Sequence, residues 1–136
     1  MNARAKTTTV DRAYAAARLN IADTFLRQAE VSAELVEGAY AHNAVVSAAT
    51  HAGIAAADGA CGHALGVVNS SPNHGDAVRL LRTVSGSAEA AKALAGLLAK
   101  KTSAQYTTQT FNASTATTAL RQAHVLADFA RKVLRT

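Results

Sequence analysis

The residues in this chain that could carry out chemistry are few, and their spacing excludes the common catalytic and zinc-binding motifs. The chain has five histidines and one cysteine in 136 residues, but no two histidines stand at the HxxxH or HExxH spacing of helical zinc sites. Cys61 has no second cysteine for an internal disulfide. It stands two residues from His63, a separation that keeps two helical side chains apart. We therefore predict no catalytic residue, no metal site and no cofactor.

Asp58 is the acidic residue with the most unusual surroundings, because it stands within the apolar stretch GIAAADGAC. An ionised carboxylate that is half buried or more needs a hydrogen-bond donor or a positive partner. The candidate partners are Arg79, Lys100, Lys101 and Tyr106. Asp58 either makes a structural bond to a loop amide or tyrosine, or lines a binding site as an acid.

Two histidines join Asp58 as candidates for a binding groove. His51 lies seven residues before Asp58, a spacing that puts both on one face of a helix. His74 lies near the start of a predicted helix, where backbone amides can hold an anion. The alternative for His74 is an ordinary solvated loop histidine.

The stretch AKKTSAQYT at residues 99–107 combines two lysines with Gln105 and Tyr106. Lysines in the last turn of a helix suit the helix dipole, so this composition is typical of a helix end near Lys101. The alternative is that the stretch is the remnant or a variant of a functional site. Composition alone does not separate these two interpretations.

The elements that must position these residues are predicted to be helices. Hydrophobic residues make up 49% of the chain, with alanine the main contributor, whereas aromatic residues make up only 4%. Alanine is the best helix former, and a core of small side chains needs closely approaching helices to reach normal packing density. We predict an all-α, up-and-down bundle of about five helices, formed by a single domain at residues 9–136 after a flexible tail at 1–8.

Apolar periodicity and capping residues set the predicted helix bounds. The first helix runs from about Val10 to Val36 and places Arg18 on its wet face, and the second runs from residues 39–43 to about Leu65. The second helix is apolar nearly all round, which predicts the centre of the bundle, and its Gly53, Gly59 and Gly62 predict close approach by neighbours. Gly66 is predicted to end the second helix, and the predicted caps of the last three helices are Ser71, Ser87 and Asn112.

The charge and the N-terminal sequence bear on partners and location. The formal net charge is +5, which favours phosphate polymers or acidic partners without choosing among them. No stretch has the order of a signal peptide or the unbroken apolar length of a membrane span. The sequence therefore predicts a cytoplasmic protein without a membrane partner.

Four stretches carry a resemblance to a known family: HAGIAAADGACGHALG (51–66), NHGDAVRLL (73–81), LLAKKTSAQY (97–106) and STATTALRQAHVLADFARKVL (114–134). Together they resemble the actinobacterial branch of the HEPN superfamily, which comprises small all-helical domains. These domains are often found beside nucleotidyltransferases or in toxin–antitoxin and defence systems. The resemblance implies a HEPN-like fold and a homodimer.

HEPN ribonucleases carry an arginine followed, after four to six residues, by a histidine that moves protons during metal-independent RNA cleavage. The corresponding stretch here has Lys100 and Lys101 and then Gln105 and Tyr106, so the nuclease signature is absent. Glutamine cannot act as a general base, and lysine lacks the bidentate fork of arginine. The resemblance thus implies a noncatalytic binding domain with a groove at Asp58, Lys101, Gln105 and Tyr106.

The expected partners of such a domain are RNA or a nucleotide, or a protein such as a nucleotidyltransferase or an antitoxin. Two other functions stay open at this point. One is a metal-independent HEPN ribonuclease with a deviating site. The other is a helical adaptor whose alanine-rich faces are contacts between helices and which has no ligand site.

Overall fold

The structure is a computed structural model that describes residues 6–106 and 108–136, including all of their side chains except those of residues 102–106. Five helices form the described part: α1 (Arg12–Leu35), α2 (Ala41–Leu65), α3 (His74–Arg82), α4 (Ala88–Tyr106) and α5 (Ala113–Leu134). Two short strands, β1 (Thr7–Thr9) and β2 (Val67–Asn69), precede α1 and follow α2. The prediction of an all-α bundle of about five helices is confirmed.

Helix α2 is the centre of the bundle, and it packs against each of the other four helices. Most of its residues from Val45 to Gly62 are buried, as its apolar composition predicted. Although α2 is apolar nearly all round, none of the helices among the described residues is long and apolar enough to cross a membrane.

Glycines on α2 allow its neighbours to come close. A Cβ atom on Gly59 would lie 3.2 Å from the carbonyl oxygen of Ala15, and one on Gly62 would lie 3.1 Å from Cγ2 of Val10. On the opposite side, a Cβ atom on Gly53 would meet Leu97 at 2.5 Å. The predicted purpose of these glycines, close helix approach, is confirmed.

The small sheet was not predicted from the sequence. Strands β1 and β2 are antiparallel, with Thr8 opposite Val68, and the Val10 amide donates to the Gly66 carbonyl at 2.9 Å. The backbone therefore becomes regular at Thr7, inside the segment predicted as a flexible tail at residues 1–8. The pairing fixes the start of α1 beside the end of α2.

The helix ends agree with the predicted capping residues in part. Gly66 ends α2 in the left-handed conformation at a φ of 71°, and Asn112 caps α5 by accepting from the Thr115 amide at 2.8 Å. The N-cap of α3 is Asn73 instead of the predicted Ser71. Helix α4 continues to Tyr106 instead of ending near Lys101, so the lysines are not in its last turn.

The segment between α4 and α5 is tied back onto the start of α2 by side chains. The Asn43 amide nitrogen donates to the Gln109 carbonyl at 2.9 Å, and its oxygen accepts from the Phe111 amide at 2.9 Å. The Tyr40 hydroxyl donates to the Thr108 carbonyl at 3.0 Å. One asparagine thus satisfies two backbone groups that precede α5 and holds this connection against the bundle.

The close approach of α1 to α2 makes Gly59 intolerant of a branched side chain. We expect Gly59→Val to lower the free energy of unfolding by about 2 kcal/mol, because the added carbons overlap the α1 backbone, which cannot move alone. Ala64→Val places the same side chain on an exposed position of α2 and should cost at most about 0.7 kcal/mol. Urea denaturation measures both, and equal losses would contradict the close packing.

Candidate functional site

A half-open cavity of about 440 Å³ lies between α2, α3, α4 and the segment that follows β2. Its volume falls within the range of small-molecule sites, which is roughly 300–1,000 Å³. Its apolar lining comes mainly from the three helices, and its polar lining includes Asp58, His74 and Lys101. The residues that line the cavity include Ala57, Asp58, Cys61, Asn69, Ser71, His74, Ala77, Leu94, Leu98 and Lys101.

Asp58 lines this cavity, and its partner among the described side chains is not one of those predicted. The side chain of Tyr106, also a predicted partner, lies outside the described residues. The carboxylate accepts a hydrogen bond from Nη2 of Arg18 on α1 at 3.1 Å, and neither Arg79 nor either lysine pairs with it. The side chains of Arg18 and Asp58 are 24% and 22% exposed, so the pair is largely shielded from water. Burial raises the pKa of the Asp58 carboxyl, and the charge and hydrogen bond of Arg18 oppose that rise.

Arg18 is the site residue that sequence reasoning missed, because it was placed on the wet face of the first helix. It lies three residues after Ala15 and four residues before Ala22, both of which are fully buried. This spacing puts Arg18 beside the buried face of α1. A charged residue within the pattern of buried alanines was the signal that could have found it.

Cys61 lies one turn of α2 beyond Asp58 and also lines the cavity. It is buried and unpaired, and burial together with the Asp58 charge raises the pKa of its thiol to about 12. The thiol is therefore neutral at physiological pH and lacks the thiolate that nucleophilic catalysis requires. Cys61 contributes an apolar sulfur to the wall of the cavity.

The two lysines of α4 point to different surroundings. The Lys100 ammonium donates to Oε1 of Gln122 on α5 at 2.8 Å, and burial followed by the Arg121 charge lowers its pKa. Lys101 lines the cavity. The pair is thus divided: Lys100 supports the packing of α4 on α5, and Lys101 brings a positive charge to the candidate site.

His74, Asn69 and Ser71 complete the polar side of the cavity. His74 is the first residue of α3, and the Gly75 amide of this terminus donates to the Asn73 side chain at 2.8 Å. The anion site expected near His74 stays a prediction. The Ser71 hydroxyl donates to Asp76 at 2.8 Å. That bond, followed by one from Arg79, lowers the pKa of the Asp76 carboxyl. Asp76 thus brings a carboxylate to the first turn of α3.

The structure brings three of the six predicted groove residues together, namely Asp58, Lys101 and His74. His51 is elsewhere: it is exposed and stacks on Phe25 of α1, with the ring centroids 5.2 Å apart. The side chains of Gln105 and Tyr106 lie outside the described residues, so their predicted place in the groove stays a prediction.

Among the residues that the structure describes, no three side chains of His, Cys, Asp or Glu gather in a way that could hold a metal ion. The comparisons with known proteins add no assignment. No family model matches the chain, and no curated protein or solved structure matches it significantly. Any function therefore has to be argued from the cavity itself.

The raised pKa of Asp58 makes a prediction about stability and pH. A carboxyl with a higher pKa in the folded than in the unfolded state binds more protons when folded, so its contribution to stability falls as pH rises between those two values. We expect this decline to begin near the ordinary carboxyl pKa of about 4. In Asp58→Asn this decline should vanish, so the free energy of unfolding should depend less on pH than in the wild type. Urea denaturation across this pH range compares the two slopes.

Arg18→Met is the matched variant, because it removes the positive charge that opposes the rise of the Asp58 pKa. In Arg18→Met the Asp58 pKa should rise further and the decline should extend to higher pH, with a loss of about 2 kcal/mol at neutral pH because a buried carboxylate is left unpaired. Asp23→Asn changes a carboxylate that faces Arg131 instead and serves as the control. Profiles for Asp58→Asn and the wild type that run parallel would show that folding does not raise the Asp58 pKa.

Proposed function

We propose that this protein is a noncatalytic HEPN-like binding domain that works as a homodimer in a regulatory, toxin–antitoxin or defence-linked setting. Its ligand is a nucleotide or a nucleotide unit of RNA, bound in the cavity between α2, α3 and α4. The observation that carries the proposal is that apolar side chains such as Leu94 and Leu98 and the positive side chain of Lys101 line the same cavity.

The chemistry of the lining suits the parts of a nucleotide. The flat, apolar surface of a base fits against Ala57, Leu94 and Leu98, since base faces pack well on apolar and aromatic side chains. Lys101 supplies a cation for the phosphate. Asn69 and Asp58 offer hydrogen-bonding groups for base edges or ribose hydroxyls.

The same lining argues against RNA cleavage. Among the described residues, His74 is the one histidine that lines the cavity, and no arginine lines it with His74. Proton transfer by a histidine without a positioned arginine leaves the charge that develops on the phosphate less stabilised. The neutral Cys61 thiol adds no nucleophile. Binding without turnover is the activity that this set of side chains supports.

Direct binding measurements test the proposal. We expect adenosine monophosphate and a short fluorescent single-stranded RNA to bind, with an affinity for RNA that falls as salt increases. Lys101→Gln should weaken both about ten-fold, because a charge-assisted hydrogen bond to phosphate is lost. Ala77→Phe should abolish binding by filling the cavity. Isothermal titration calorimetry measures the affinity for adenosine monophosphate, and fluorescence anisotropy measures the affinity for the RNA.

Lys92→Gln is the matched control, because Lys92 is an exposed lysine of α4 that does not line the cavity. It should bind as the wild type does. Equal weakening by Lys92→Gln and Lys101→Gln would indicate general attraction to a basic surface and would contradict the cavity as the site. Absence of binding would favour a helical adaptor, and cleavage of RNA in the presence of EDTA would favour a ribonuclease.

A further inference from the structure

Helix α1 has two apolar faces, and one of them faces away from the bundle. Residues on the outer face follow one another in alternating steps of three and four, the spacing of the a and d positions of a heptad. They are uncharged, and all are exposed. We call them the α1 seam: Tyr14, Ala17, Ile21, Thr24, Gln28, Val31 and Leu35.

The opposite face of α1 already provides its packing within the molecule. Ala15, Ala22, Leu26 and Ala29 are buried, and among the described residues α1 packs mainly against α2 and α5. A helix needs only one apolar face to join a bundle. The seam is therefore not explained by the fold of a single chain.

The exposed large hydrophobic residues of α1 all lie on the seam. Leu35 is 73% exposed and Val31 is 47% exposed. Of the exposed large hydrophobic residues among those described, Tyr14, Ile21, Val31 and Leu35 belong to the seam. Val36 and Tyr40, which follow α1 in the sequence, are also exposed. Exposed apolar side chains that recur along one helix face are a candidate interaction surface.

We infer that the α1 seam pairs with the seam of a second copy of this chain in an antiparallel arrangement. Antiparallel heptad pairing places each a residue opposite a d residue of the partner. The midpoint of the pairing falls between Thr24 and Gln28, and each layer occurs twice about the two-fold axis. The layers are Ala17 with Leu35, Ile21 with Val31, and Thr24 with Gln28.

The residues within each layer complement one another in size and polarity, so the seam of a second copy fits the seam of the first. The smallest seam residue, Ala17, meets the large Leu35, two branched aliphatic residues meet each other, and the two polar residues meet as a hydrogen-bonding pair. A polar pair in such a seam fixes its register. A parallel arrangement would instead place Ala17 against Ala17 and Tyr14 against Tyr14, which leaves layers of unequal width.

This inference specifies the contact surface of the homodimer proposed above, and it does not depend on the ligand. The cavity is lined by α2, α3, α4 and the segment after β2, and no residue of α1 lines it. Failure of nucleotide binding would thus leave the seam untouched. Failure of dimerisation through the seam would leave the cavity site untouched.

Analytical ultracentrifugation of the full chain tests the seam. We expect the wild type to sediment as a dimer at micromolar concentration and Val31→Glu to raise the dimer dissociation constant at least about 100-fold, because it places an unpaired carboxylate in an apolar layer. Ala16→Glu introduces the same charge on an exposed α1 position outside the seam and should leave the dimer intact. Circular dichroism confirms that both variants are folded. A monomeric wild type, or equal weakening by both variants, would overturn the inference.

Disulfide cross-linking tests the antiparallel orientation. The Ala17→Cys/Leu35→Cys double variant should form a covalent dimer under mild oxidation, whereas each single variant should stay uncrosslinked. The two positions are about 27 Å apart along one helix, which excludes a bond within the chain. The native Cys61 is buried and does not interfere. Cross-linking of Ala17→Cys alone would show that the helices are parallel and would overturn the proposed layers.

Discussion

The close approach of α1 to α2 is the constraint on which the rest of the molecule depends. Gly59 and Gly62 face Ala15 and Val10 at separations that leave a side-chain carbon little room. A core built largely from alanine buries less apolar area per residue than one built from leucine, so it needs this proximity to reach native packing density. The register of the two helices follows from it, because a glycine on α2 must stay opposite the backbone of α1.

That register determines the electrostatics of the candidate site. Ala15 and Leu19 both lie against Gly59, and consequently Arg18 meets Asp58, the residue just before that glycine. A carboxylate in the most buried helix would otherwise be costly to ionise. With Arg18 on one side and the cavity on the other, Asp58 belongs both to the packing of α1 and to the polar lining of the pocket. The cavity therefore depends on a helix that does not itself line it.

Local sequence patterns predicted the helices well, but they did not predict contacts between segments that are distant in the sequence. The buried character of α2 and the caps at Gly66 and Asn112 follow from periodicity and turn chemistry, which involve only neighbouring residues. Arg18 and Asp58 are forty residues apart, and their pairing depends on a helix register that no local pattern contains. Three threonines before α1 gave no alternating pattern, so the pairing of β1 with β2 was missed. The sequence predicts a helix end at the two lysines, but they lie inside α4, where Lys100 bonds to Gln122 of α5 and Lys101 lines the cavity.

The two faces of α1 connect the candidate site to the proposed assembly. The inner face is fixed to α2 by small residues and by the Arg18 pair, so that α1 has little freedom to move against the core. Pairing through the outer face then joins two rigid bodies without repacking either of them. Because no α1 residue lines the cavity, such a dimer presents two open cavities whose positions are related by the two-fold axis. A polymer such as RNA that occupied both would gain avidity from the fixed spacing, whereas a free nucleotide would fill each cavity independently.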